Sequence, residues 1–239
     1  MSDPIRKQIF DAIETKIAEV RKSKGYNMDC GLNPYQGAVV GLEVPFINFG
    51  PLEEGSATDT DAAYGNDVRT VRINIESAVE FSELDVAGDP VEYMLADLIE
   101  VIAGKKYALA FTSGGDYVIR PGHIITGADS AATALVESVS VSSGSWSSGT
   151  AAGTITLRRK TGVFTAENLN IGTNLNVCTV SGVLVTYNPE STTTAGLADN
   201  IQYIGGGARS YPEAGDNIIG CFAEFNILFY TLTGDPYNQ

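Results

Sequence analysis

The residues able to do chemistry in this 239-residue chain are few: one histidine, three cysteines and several runs of carboxylates. His123 follows Pro121-Gly122 in a turn-forming stretch and has no second histidine with which to hold a metal. A Ser-His-Asp triad would rest wholly on it, and the serine-rich segments contain no GxSxG elbow. Cys30, Cys178 and Cys221 are far apart and odd in number. They suggest neither a CxxC metal site nor a disulfide framework, and read as buried free thiols in a reducing compartment. Glu53-Glu54 and Asp59/Asp61 gather acids in a stretch that reads as a loop. Glycosidase-type hydrolysis needs two acids at a fixed separation, which a loop does not provide. Gly205-Gly206-Gly207 lacks the GxxxxGK[ST] pattern of a phosphate loop and reads as a tight turn or a close backbone contact. Arg158-Arg159-Lys160 is a lone basic cluster, expected at a hairpin end, that would touch phosphate or an acidic neighbouring subunit. No catalytic, cofactor-binding or metal residue is assigned, and the chain reads as a non-enzyme without a cofactor.

Charge points the same way. The net charge is −14, which opposes binding along DNA. It is uneven: residues 1–24 carry +2, residues 25–112 carry −11, residues 113–187 are neutral, and residues 188–239 carry −5. One face or rim is therefore expected to be strongly acidic. No stretch reaches 18 apolar residues, and MSDPIRKQIF lacks the apolar segment of a signal peptide, so no membrane role is expected.

The elements that would position these residues change character along the chain. Residues 3–24 predict a helix capped by Ser2 or Asp3, opened by Pro4 and stopped by Gly25. Its stripe is Ile5, Ile9, Ala12, Ile13, Lys16, Ile17 and Val20. Residues 26–41 read as loop, Val39–Phe49 as a short strand broken by Pro45, and Gly50–Asp67 as a mobile acidic loop. Residues 68–81 alternate as a half-buried strand with Val71, Ile73, Ile75 and Ser77 on one face. A second helix is predicted over Asp89–Ala103, with Asp89 as cap and Gly104 as stop. Residues 188–217 read as a loop-rich return. Residues 218–232 form a last strand, apolar on both faces and so either central or meeting a helix or a neighbouring subunit with its second face.

Between these parts, residues 113–186 are rich in Gly, Ser, Thr and Ala, with short β-like runs. Candidate strands are Tyr117–Ile119, Ile124–Ile125, Ala134–Val141, Thr154–Leu157, Leu169–Ile171 and Val177–Val180. The phrases IRPGHIITGADSAATALVESV and FTAENLNIGTNLNVCTVSGV look like two related halves. Trp146, the only tryptophan, sits in SSGSWSSG as either a lid over a small core or an exposed contact. The expected fold is α+β: a mixed, mainly antiparallel sheet packed against two helices, built from residues 1–112 and 187–239. A small all-β barrel or sandwich over residues 113–186 is inserted into it.

The outer parts resemble the tail terminator and tail completion proteins of tailed phages, which sit at the head–tail junction. The resemblance lies in PIRKQIFDAIETKIAEV, GLEVPFINFG, VRTVRINIESAVEF, DPVEYMLADLIEVI and IIGCFAEFNILFYTLTGDPY. The middle segment resembles a β module of phage structural proteins, an insertion the compact terminator pattern lacks. The resemblance implies a homo-oligomeric, hexameric ring in the virion, assembled in the host cytoplasm. Such a ring caps the tail tube, joins it to the neck or connector, and lets DNA pass its lumen without specific binding. The 50–67 loop and the tail Gly234–Gln239 are then the first candidates for axial contacts. Two alternatives stand beside this. One is another virion component of the neck, baseplate, minor tail or capsid. The other is a host-surface or carbohydrate-binding module using Trp146 and Tyr117.

Overall fold

A computed structural model describes residues 3–37, 43–56, 66–80, 88–211 and 217–239. The chain forms two compact units. The first comprises residues 1–21, 27–104 and 189–239, and the second residues 22–26 and 105–188. The fold is α+β with a separate closed β-barrel, as expected. The junctions fall at 104/105 and 188/189, whereas the sequence suggested 112/113 and 186/187. The difference arises because the strand Lys106–Gly114 finds its hydrogen-bond partners in the barrel.

In the first unit, α1 (Ile5–Ile17) presents Ile5, Ile9, Phe10, Ile13 and Ile17 to the core. It is shorter than predicted, ending at Ile17, with four residues between it and a single 3-10 turn at Lys22–Lys24. The expected Asp3 cap is absent, and Ser2 lies outside the described residues. Pro4 occupies the cap position, and the Ile5 amide is satisfied by the Pro236 carbonyl at 2.9 Å instead. A further single turn, Cys30–Leu32, leads into β1 (Asn33–Gln36). Residues 33–36, expected as loop, pair in parallel with β2 (Phe46–Ser56). The strand expected over Val39–Phe49 therefore begins at Phe46; residues 38–42 are outside the described set.

β2 also corrects the loop expected from Gly50. Its residues through Ser56 pair with β3 (Asn66–Glu80), across a bulge between Pro51 and Glu53. Asp59 and Asp61 lie outside the described residues. The acidic stretch extends as a strand by pairing its backbone with β3, and cations lie beside its carboxylates: Arg72 Nη1 is 3.4 Å from Glu53, and Arg6 Nη1 2.6 Å and Arg69 Nη1 3.6 Å from Glu54. The helix α2 (Gly88–Ala103) buries Val91, Met94, Leu98, Val101 and Ile102. The short α3 (Pro189–Thr193) follows the barrel, and the Thr193 hydroxyl donates to the Ile102 carbonyl at 2.9 Å.

β10 (Asn200–Ser210) and β11 (Ile218–Leu232) complete a sheet of order β1-β2-β3-β11-β10. Only β1 and β2 are parallel within it. β11 is interior, as its two apolar faces predict, and Cys221, Ala223, Phe225, Ile227 and Phe229 share its buried side. Residues 200–210, expected within a loop-rich return, are an edge strand that includes the glycine run. A Cβ at Gly206 would run into the Phe222 carbonyl and sit 2.8 Å from Leu95 of α2. The run is therefore a close helix-on-sheet approach rather than a turn.

In the second unit, β4 (Lys106–Gly114), β5 (Ile124–Gly127), β6 (Thr133–Ser143), β7 (Ala151–Thr161), β8 (Glu167–Ile171) and β9 (Asn174–Tyr187) close in the order β4-β7-β6-β5-β8-β9. Five of the six expected strands are present, and Tyr117–Ile119 is not a strand. The two look-alike phrases form the hairpins β5–β6 and β8–β9. Their short strands β5 and β8 pair with each other through Thr126↔Asn170 and Gly127↔Leu169. The core comprises Leu109, Phe111, Ile125, Val136, Ile155, Leu157, Phe164 and Leu169 among others.

Candidate interaction face

Alternation along β3 and β11 divides the first unit's sheet into two unlike faces. Ile73, Ile75, Phe225 and Ile227 are fully buried on the helix side, where Phe10 of α1 meets Phe49 edge-on at 5.9 Å. Among the described residues no helix covers the other side. There β3 presents Arg72, Asn74 and Glu76, and β11 presents Phe222, Glu224, Asn226, Leu228 and Tyr230, all half-buried.

Cross-strand register turns the charges on this face into a ladder. Arg72 faces Asn226 and reaches Glu224, whose carboxylate it contacts through Nε at 3.1 Å and through Nη2. Glu76 is ion-paired with Arg209 Nη1 at 2.6 Å, and accepts from Asn74 Nδ2 at 2.7 Å and from the Tyr211 hydroxyl at 3.2 Å. Burial, with the neighbouring Glu76 charge, pushes the Tyr211 phenol far up, so it stays a donor. A cleft of about 430 Å³ opens on the same face, lined by Gly37, Asn48, Gly50, Pro51, Leu52, Asn74 and Glu76.

The residues singled out from the sequence are scattered, not assembled. His123 stays in its turn, its Nδ1 accepting from the Arg120 amide at 3.2 Å and its ring 5.7 Å from Tyr117. The basic cluster Arg158-Arg159-Lys160 lies within β7 rather than at a hairpin end. Arg158 is buried, with its guanidinium 3.7 Å from the centroid of the Tyr26 ring. Lys160 donates to the Gly162 carbonyl at 2.6 Å. Trp146 stacks on Phe111 with centroids 5.3 Å apart and rings inclined by 10°, which matches the lid reading. Gly114 leaves the room that Trp146 needs, since a Cβ there would lie 2.6 Å from its ring.

The tail Gly234–Gln239 is tied down: Asn238 Nδ2 donates to Asp235 at 2.6 Å, and Gln239 Nε2 to the Leu197 carbonyl at 2.6 Å. All three cysteines are buried. Desolvation pushes the Cys30 and Cys178 thiols up to about 12, and raises that of Cys221 further. Among the described residues no group of three or more His, Cys, Asp or Glu side chains could hold a metal ion. No helix among them is long and apolar enough to cross a membrane.

Two buried carboxylates escape sequence reasoning. Asp97 of α2 accepts from the Asn27 amide at 2.9 Å, the Asn27 side chain at 2.7 Å and the Met28 amide at 2.9 Å. In the barrel, Glu167 accepts from the Ser130 hydroxyl at 2.6 Å and from the amides of Asp129 (2.7 Å), Ser130 (2.9 Å) and Thr165 (3.0 Å). Burial alone would raise its pKa, but these four donors outweigh it and bring it down to about 2. Both groups fasten loops.

No protein-family model matches the chain, and no curated protein matches it. The functional reading therefore rests on the residues and their arrangement.

Proposed function

We propose that this chain is a structural subunit of a tailed-phage particle, a tail terminator at the head–tail junction that acts by shape rather than by catalysis. The observation that carries the reading is the bare sheet face. A fifteen-residue interior strand, β11, keeps Phe222, Leu228 and Tyr230 only half-buried there, beside a ladder of ion pairs. A two-layer domain with one face left open fits a protomer whose other layer is a neighbour or a lumen. The first unit carries seven basic and 25 acidic residues, a net of −18, so a lumen lined by it would repel DNA and let it slide. The partners in this reading are six copies of the chain, the tube protein and the neck protein.

The test is Leu228→Asp. The substitution lies on the open face, away from the buried side of β11, and is expected to abolish assembly while the protomer keeps its fold by circular dichroism. Assembly that survives the substitution overturns the use of this face.

One observation favours a second role for the barrel within the same particle. Ile124, Val163, Leu175 and Val183 expose 60%, 71%, 69% and 69% of their surface. These aliphatic positions, rather than Trp146, are the residues that a contact with another virion protein would use.

A further inference from the structure

We propose that the cleft on the bare sheet face is a receptor for an arginine side chain presented by a partner protein. The cleft exists because of glycine. Gly50 stands opposite Asn74 in the β2–β3 register, so one side of this cross-strand pair has no side chain. Gly37, held by its amide to the Phe49 carbonyl at 2.7 Å, supplies a second stretch of bare backbone.

Two of the residues around this gap, Asn48 and Glu76, offer acceptor oxygens. Asn48 faces Glu76 directly across the two strands, which sets their side chains beside each other. The Asn48 Oδ1 is shielded from solvent and has no hydrogen-bond partner. A buried acceptor without a donor is costly, so a native structure that keeps one calls for an explanation. The neighbouring Glu76 has one oxygen engaged by Arg209 and Asn74, while the other meets only the Tyr211 hydroxyl at 3.2 Å. Two residues paired across the strands thus each keep an oxygen with acceptor capacity to spare.

Pro51 and Leu52 form an apolar wall, and Leu52 exposes 53% of its surface. An apolar stem ending in a planar fork of N–H donors fits this pairing: the stem packs on Leu52, one arm of the fork meets Glu76, and the other takes the Asn48 oxygen as that amide turns out of its shielded position. Lysine would bring the charge but not the fork. The net of −18 on this unit draws a cationic partner towards it. The inference does not depend on the virion reading, because the cleft belongs to one protomer.

The experiment is a titration of the ¹⁵N-labelled full-length chain with N-acetyl-arginine amide, with the citrulline analogue as neutral control. Saturable shifts are expected for the Asn48 and Asn74 side-chain amides and the Gly37 and Gly50 backbone amides, several-fold weaker with citrulline. Gly50→Leu should remove them by filling the cleft. A Cβ there meets only Gly37, with its Cα at 3.6 Å, so the fold tolerates the change. Asn48→Ala should also lose binding while its thermal midpoint holds or rises, since it deletes an unpaired acceptor; a merely structural asparagine would lower it. No saturable shift, an equal response to citrulline, or binding retained in either variant overturns the proposal. Failure to form rings would leave this result untouched.

Discussion

Arg158 lies over Tyr26, its guanidinium carbon 3.7 Å from the ring centroid, and donates through Nη2 to the Lys24 carbonyl at 2.6 Å. A short segment from the first turns of the chain, residues 22–26, is thereby part of the barrel unit. Arg158→Ala should destabilise that unit by about 2–4 kcal/mol, combining a lost charge-assisted hydrogen bond with a lost cation–π contact. A double-mutant cycle with Tyr26→Leu should return a coupling of about 1–2 kcal/mol in chemical unfolding. Additive single effects would remove the contact from the account.

Glu167 should make the barrel's stability depend on acid. Its folded pKa is depressed to about 2 from 4.5, so its contribution is present above the unfolded value and is lost as the pH falls through the folded one. Glu167→Gln should cost about 2 kcal/mol near neutral pH. The gap between the variant's and the parent's thermal midpoints should close between about pH 5 and pH 2. A gap independent of pH would show that packing, not the carboxylate charge, holds the 129–130 turn.

Asp97→Ala should be among the most damaging single changes in the first unit. It removes the acceptor for the Asn27 and Met28 amides and leaves them without that partner. About 3 kcal/mol is the expected loss, and hydrogen exchange of the Asn27 and Met28 amides should accelerate ahead of the sheet.

The outer elements were legible because each buries one face. The periodicity of Ile5–Ile17, the alternation of Val71–Ser77 and the doubly apolar Ile218–Leu232 all stand in the structure as elements of the expected type. What was not legible depends on partners distant in sequence. Glu53 and Glu54 look like loop residues until Arg72 and Arg69 lie beside them. Lys106–Gly114 reads as part of the first domain until β7 and β9 pair with it. Arg158 reads as surface charge until Tyr26 covers it. The acceptor-lined cleft was invisible for the same reason: only the β2–β3 register sets Asn48 against Glu76 and Gly50 against Asn74.

Thiol chemistry gives a simple check on the packing of both units. Cys30, Cys178 and Cys221 are all buried and their thiols are held protonated by desolvation. Native protein at about pH 8 should react negligibly with a thiol-specific disulfide reagent, and denatured protein should release three equivalents. Rapid reaction of one thiol in the native state would expose a fault in the packing of that unit.

A chain that acts as a tail terminator, as proposed, closes into a ring. The direct test is the mass of the purified protein by light scattering, combined with symmetry from electron-microscopy class averages, alone and with tail tubes. The expected result is a closed six-fold ring, formed in solution or at the tube end. A protomer that stays monomeric in the presence of tubes, an extended tube, or a closed ring of another symmetry would contradict it.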